Sequence, residues 1–185
     1  SAFYNAFTNK IGFEWQLNPE TNKEDLVYVN AETAKTTGLE YLVRLKFNFG
    51  LTTQLSYSYT YDYQYRDGKN MSMVRPHHIT YFANYSKRFK NIGISTTLNG
   101  YWMCKLDTYM QSGENEYYLR KYPSRYITSL HFGLDFPIGI NLSFGINNLF
   151  NYKDKHITST QSIFPEQGRS YNISLSFKLE DLLNK

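Results

Sequence analysis

A single cysteine, Cys104, stands in the 185 residues. Neither a disulfide framework nor a thiolate zinc site can be built within such a chain. Nowhere do apolar residues run for the roughly 18 positions that a spanning helix needs. Basic residues outnumber acidic ones by 20 to 16, but they are scattered and form no stripe. Nucleic-acid binding is therefore without support. No nucleophile elbow, phosphate loop or run of metal-ligand spacing occurs, so the sequence points to no enzyme, no cofactor and no metal. The N-terminus shows no initiator Met, basic n-region or apolar h-region. Ser1 to Asn5 already reads as strand, so the expectation is a removed signal or a start inside a larger protein.

Aromatic residues are what the chain has in excess: 18 Tyr, 13 Phe and 2 Trp, or 18%. Disordered chains are poor in such residues, and with Ser and Thr they make the composition of a sheet. Alternation confirms that class. From Leu55 to Arg66 every odd position is apolar or aromatic and every even one polar. The same beat runs through Leu39, Tyr41, Val43 and Leu45, through Ile92, Ile94, Leu98 and Trp102, and through Tyr126, Leu130, Phe132 and Leu134. It closes with Ile140 to Ile146 and with Tyr171, Ile173, Leu175 and Phe177. Eight strands are expected, over about 1–17, 26–48, 51–66, 76–88, 92–106, 124–136, 138–149 and 170–179.

The connections alternate in length. Short ones fall near Phe49-Gly50, Arg88 to Asn91 and Phe136 to Gly139; long polar ones span about 18–25, 67–75, 107–123 and 150–169. Soluble sandwiches have no reason to sort their turns this way. An antiparallel transmembrane β-barrel has one, with short periplasmic turns on one rim and long extracellular loops on the other. The faces agree with a barrel. One is aliphatic with aromatics towards the strand ends, and the other is small and polar, as at Thr52, Gln54, Ser56 and Ser58 or Asn141, Ser143, Gly145 and Asn147. A soluble sheet rarely needs strands beyond about 10 residues.

Eight strands can close a small barrel whose interior is filled by side chains. That alternative would be a complete eight-stranded outer-membrane barrel with a structural or adhesion role, or an outer-membrane enzyme. The inward set here is mostly Ser, Thr, Gly and Asn, with Glu40, Arg44, Lys46, His131 and Asp135 as larger members. Such residues suit a wide lumen, wetted or facing a separate plug.

Three segments carry a family resemblance. Tyr28-Val29-Asn30 followed by Lys35-Thr36-Thr37-Gly38-Leu39-Glu40 is similar to an N-x-x-K-x-x-G-x-E strand. Gly145-Ile146-Asn147-Asn148-Leu149-Phe150-Asn151-Tyr152-Lys153 is similar to a G-x-x-N-L-F-D/N-x-x-Y/K segment, and Gly168-Arg169-Ser170-Tyr171 to a P-G-R-x-Y strand entry. In order and spacing they resemble the C-terminal part of a TonB-dependent outer-membrane receptor. The resemblance implies that residues 1–179 are the last eight strands of a 22-stranded plugged barrel and 180–185 a periplasmic tail. It implies active import of a scarce, large nutrient (iron–siderophore, haem, cobalamin or glycan). It also implies coupling to the TonB complex through a plug outside this sequence. Outer-membrane lipid would surround the barrel, with long loops extracellular and the C-terminus periplasmic. Gly168, Tyr171 and Phe177 would mark the barrel-assembly signal. One departure is that Phe177 is followed by eight more residues, so Phe177 or Leu179 would serve as the terminal signal residue.

Cargo contacts are expected on the loop side. His77 or His78 would meet the lumen, though not both, because neighbours on a strand face opposite ways. His156, in the longest loop, is a second candidate. Tyr109, Tyr117 and Tyr118 in the 107–123 loop would stack on a macrocycle or sugar ring, or meet a surface lipoprotein. Cys104 shares the parity of Trp102 and should lie on the apolar face.

Overall fold

The computed structural model describes residues 1–18, 20, 23–66, 68–111, 116–153 and 167–178. Twelve strands follow in order: β1 (Ala2–Asn18), β2 (Lys23–Lys46), β3 (Leu51–Tyr63), β4 (Tyr65–Arg66), β5 (Lys69–Asn70), β6 (His77–Phe89), β7 (Ile92–Met103), β8 (Leu106–Gln111), β9 (Tyr117–Tyr122), β10 (Arg125–Asp135), β11 (Ile140–Asn147) and β12 (Ser170–Phe177). Among the described residues there is no helix. The eight long strands are the eight expected from alternation, with ends shifted by a few residues. They form one antiparallel meander in the order β1-β2-β3-β6-β7-β10-β11-β12. Residues 179–185, including the expected tail, lie outside the described part.

Two small hairpins, β4–β5 and β8–β9, stand apart from this sheet; β5, β9 and all of β8 but Leu106 fall where loops were expected, whereas β4 takes the last two residues of the expected strand 51–66. Two-residue strands are too short to show a period. Leu106 and Thr108 on β8 are both buried and share one face, but a polar residue at 108 hides that face from a reading based on apolar alternation.

The short connections are built from left-handed residues. Gly50 has φ +101°, which side-chain-bearing residues avoid; the turn closes with Gly50 N donating to Phe47 O at 3.1 Å. Ser86 N also donates to Gly50 O at 2.9 Å, and a methyl group at Gly50 would overlap the Ser86 carbonyl. The turn between β6 and β7 uses Lys90, at φ +53°. That between β10 and β11 uses Gly139, whose carbonyl accepts from Lys178 N at 2.8 Å.

Register places like with like. Leu45, Thr53, Ala83, Leu98, Leu130, Ile146 and Tyr171 form one continuous row across seven strands. On the long-loop side of that row come Tyr41, Tyr57, Ile79, Trp102 and Tyr126, an aromatic band. Nearer the short turns lie Leu51, Tyr85, Thr96, Phe132, Phe144 and Ile173. The opposite face carries Lys46, Thr52, Asn84, Thr97, His131, Gly145 and Asn172 in one row, with Asn84 Nδ2 donating to Thr97 Oγ1 at 2.8 Å. Glu40, Arg44, Lys46, His131 and Asp135 share this polar face, as expected. Its composition is not uniform, because Leu42, Phe82, Tyr101 and Ile127 share it too. Near the short turns Arg88 and Asp135 pair at 2.6 Å across Gly93. Both are largely exposed, so the pair contributes at most about 1 kcal/mol.

No second layer covers the apolar face. Among the described residues the buried apolar side chains are Ala34 and Leu106 alone, whereas Tyr41 is 65% exposed, Leu55 51% and Ile173 75%. A water-facing sheet with so much bare apolar surface would aggregate.

Among the described residues the sheet is also open, since β1 and β12 pair with no strand beyond β2 and β11. An eight-stranded closed barrel is therefore not the arrangement adopted. Each edge leaves a row of unpaired backbone groups, which hydrocarbon does not tolerate. Residues 1–185 alone, refolded into detergent, should give no compact heat-modifiable monomer on electrophoresis; a band that shifts on boiling would contradict the open edges.

Candidate functional site

Above the sheet, on the side of the long connections, the two hairpins are tied to the wall by a buried polar network. Asp62, near the end of β3, is 7% exposed. Its carboxylate accepts from Thr36 Oγ1 at 2.8 Å and from Ser72 Oγ at 2.7 Å. Ser72 N in turn donates to Asn70 Oδ1 at 3.0 Å, and Ser72 Oγ accepts from Val74 N at 3.1 Å. Thr108, fully buried, reaches Asn70 O at 3.4 Å. The carboxylate thus joins β2 and β3 to Ser72, and Asn70 carries the link on to β5 and β8; a small cavity of about 120 Å³ beside it is lined by Thr60, Asp62, Ser72, Lys105 and Asp107 among others. Arg75 fastens the next strands: its Nη1 donates to Cys104 O and to Pro123 O, the latter at 2.7 Å.

Register divides the two histidines. His77 pairs with Tyr59 and shares the apolar face with Tyr57 and Ile79. Its ring stacks with Tyr57, and Nδ1 lies 2.8 Å from the Tyr57 hydroxyl. His78 falls on the polar face and meets Tyr101 edge-on, with ring centroids 6.0 Å apart. Cys104 follows Trp102 to the apolar side, where its Sγ accepts from His77 N at 3.3 Å. His77 thus lies on the apolar face and His78 on the polar one. The reason is parity, which the alternation of β6 itself carries: His77 is in step with Ile79, Tyr81 and Ala83, and His78 with Thr80 and Asn84.

The loop tyrosines also separate. On the β8–β9 hairpin Tyr109 and Tyr117 share one face, while Tyr118, paired with Met110, takes the other. The ammonium of Lys69 sits 5.0 Å from the Tyr117 ring centroid, and Arg120 lies over Tyr122 at the same distance. The hairpins thus present cations against π faces. His156 lies outside the described residues.

The connection from β11 to β12 is organised by a residue that the sequence reading passed over. Asn148 is 4% exposed and has φ +50°. Its Nδ2 donates to Tyr152 O at 2.7 Å and to Gln167 O at 2.8 Å, while its Oδ1 accepts from Tyr152 N at 2.8 Å. Asn151, also left-handed at φ +54°, accepts from Arg169 N at 2.9 Å. Leu149 N donates to Thr128 O at 2.7 Å. The Asn-Asn-Leu-Phe-Asn-Tyr segment and the Gly168-Arg169 entry are thus two halves of one knot. Asparagine tolerates the left-handed region better than most residues, and that was the available signal. Tyr171 and Phe177 point to the apolar face of β12, opposite Ile146 and Ile140.

Residues 1–149 match the family model described as TonB dependent receptor-like, β-barrel. The chain belongs to that family. Membership places this TonB-dependent receptor segment in the bacterial outer membrane. Solved structures agree on the fold. The copper transporter OprC superposes with a TM-score of 0.71 at 15% identity, over 95% of this chain and 28% of that one. The siderophore receptor PirA of Acinetobacter baumannii gives 0.67 at 18% identity, over 95% and 28%. P. aeruginosa FpvA bound to a pyoverdine–iron complex gives 0.61 at 14%, over 94% and 24%. The chain therefore spans about 28% of the length of the first two. No curated protein sequence matches it. In receptor terms the open eight-stranded sheet is part of a barrel wall, and the knot at Asn148 closes the connection into its edge strand β12.

Proposed function

We propose that these strands belong to an active importer, which takes a scarce, large nutrient across the outer membrane under the drive of the TonB complex. The observation that supports this best is the open meander with an uncovered apolar face, in a chain of the receptor family. In this reading the wall continues beyond β1 and β12 to a 22-stranded barrel, and lipid covers the apolar face. A plug fills the lumen against the polar face and couples to TonB. The long connections stand outside the cell and the C-terminus in the periplasm. Gly168, Tyr171 and Phe177 serve barrel assembly, since Tyr171 and Phe177 lie on the edge strand where the last closure forms.

Cargo would be met by the polar face and the hairpins. His78 replaces His77 as the histidine that reaches the lumen. Tyr109 and Tyr117, sharing a face, are placed to stack together on one ring system, with Lys69 adding positive charge; Tyr118 would then serve the opposite side, towards a surface lipoprotein. Iron–siderophore, haem, cobalamin and glycan all remain compatible with such contacts.

The test is genetic and uses the full-length receptor. Cells that lack it, with and without the complementing gene, would be grown with each of the four cargo classes as the limiting nutrient. For one class, growth should require both the receptor and an intact TonB complex. Receptor-dependent growth that persists without TonB, or no receptor-dependent growth on any class, would reject the reading.

A further inference from the structure

The tyrosines of β3 continue further than an interfacial band requires. Nine to eleven residues of a tilted strand cross the hydrocarbon; counted from Leu51, the outer boundary falls near Tyr59 to Tyr61. Yet the apolar-face positions go on as Tyr61 and Tyr63, and Tyr65 extends them into β4. These rings are 41%, 39% and 42% exposed, and those of Tyr63 and Tyr65 stack at 4.4 Å. Beside them on β2 stand Thr37, paired with Tyr61, and Lys35, paired with Tyr63. On β1, Tyr4 pairs with Thr37 and Ala6 with Lys35. The small side chain of Thr37 thus leaves a low floor between Tyr4 and Tyr61, and Ala2 and Ala6 leave space on either side of Tyr4 along β1. An open cavity of about 500 Å³ begins there, lined by Ala2, Tyr4, Thr37, Leu39 and Tyr59 together with Phe3 and Gly38.

Charge on this trough has one sign. Lys35 is exposed and lies on the trough's own face. Asp62, beside it on β3, and Glu40, further along β2, alternate to the other face. A ligand for this place must lie at the level of the outer headgroups, outside the barrel. It must offer flat, hydroxylated rings to tyrosine faces and a negative group to an ammonium. We infer that the trough seats the phosphorylated sugar headgroup of an outer-leaflet glycolipid. Sugar rings lie against Tyr4, Tyr61 and Tyr63, and phosphate meets Lys35 Nζ. The inference rests on the proposed orientation, with the long connections outside the cell.

Two experiments separate its failure from that of the orientation. In the full-length receptor carrying Cys104→Ser, Lys35→Cys should be labelled on intact cells by a membrane-impermeant maleimide. Absence of labelling would bring down the orientation and this inference together. With labelling established, delipidated full-length receptor would be titrated with fluorescent bis-phosphorylated lipid A in detergent. The wild type should bind saturably. Lys35→Glu and the double change Tyr61→Ser, Tyr63→Ser should each bind about tenfold more weakly, as expected for losing one charge contact or two ring contacts. Tyr63→Phe, which keeps the ring, should bind like the wild type. Heat-modifiable migration of each variant confirms the fold. Unchanged binding in Lys35→Glu and in the double variant overturns the inference. So does a co-purifying polypeptide that is lost with Lys35→Glu while lipid A binding persists, which would make the trough a protein contact.

Discussion

Replacing Asn148 by Ala in the full-length receptor should lower stability by about 3 kcal/mol. Three hydrogen bonds end on this buried amide, and the Tyr152 and Gln167 carbonyls would lose their donor. Each such loss costs roughly 1 kcal/mol or more. Alanine at φ +50° adds about 1 kcal/mol of backbone strain. Asn148→Asp separates the two contributions. It keeps the left-handed tolerance and the acceptor for Tyr152 N, but turns a carboxylate oxygen towards two carbonyls, so it should be at least as harmful as alanine. Asn148→Gly removes the bonds without the strain and should fall between alanine and wild type. The measurement is the temperature at which the folded band gives way to the unfolded one in detergent. Equal midpoints for wild type and Asn148→Ala would show that the knot carries no load.

The second large effect is expected at Gly100. On the apolar face this residue pairs with Tyr81 on one side and Thr128 on the other. The Tyr81 ring lies across it, and the Tyr81 hydroxyl is bonded to Thr128 Oγ1. An added methyl would overlap both the Tyr81 hydroxyl and the Ile127 carbonyl oxygen. A side chain can swing away, but a strand carbonyl in a ladder cannot move without breaking its own pairing. Gly100→Ala should therefore cost roughly 2–3 kcal/mol, as overpacking does. Adding Tyr81→Leu should recover part of that loss and no more, because the carbonyl remains. Gly68→Ala is the contrast: its surroundings are open, and only the strain of φ +72° opposes it, in a hairpin outside the wall. Equal losses at Gly68 and Gly100 in thermal unfolding would refute the steric account.

The wall was legible in the sequence because its cause is local. A strand with lipid or solvent on one face must alternate, and Leu55 to Tyr65 says so without reference to any partner. Sorting of short and long connections then gave the two rims. The hairpins were illegible for the opposite reason. Leu106 and Thr108 are buried by contacts with distant loops, and nothing in their own neighbourhood foretells it. The two histidines were legible by the same local rule as the wall: His77 keeps step with Ile79, Tyr81 and Ala83, which puts it on the apolar face, and the pairing of Tyr59 with His77 agrees. Asn148 sits inside the segment that carries the family resemblance, but nothing local marks it out within that segment. Its importance comes from the Gln167 carbonyl, 19 positions away, which no local pattern reports.

The order of the meander has a kinetic consequence. Every long strand pairs with the long strands next to it in sequence, so each pairing closes only its own connection. Closure entropy grows with the logarithm of loop length. Joining β2 to β3 across residues 47–50 should thus be favoured over joining β11 to β12 across 148–169 by about 1.5 kcal/mol. The tight turns at Gly50, Lys90 and Gly139 should make β2–β3, β6–β7 and β10–β11 the first pairs to form. Insertion would then proceed as the addition of preformed ribbons, two strands at a time, and the slow step would be the zipping of one ribbon to the next. The Asn148 knot holds the ends of the longest of these later junctions together, and so shortens the search that β12 must make for its place on β11.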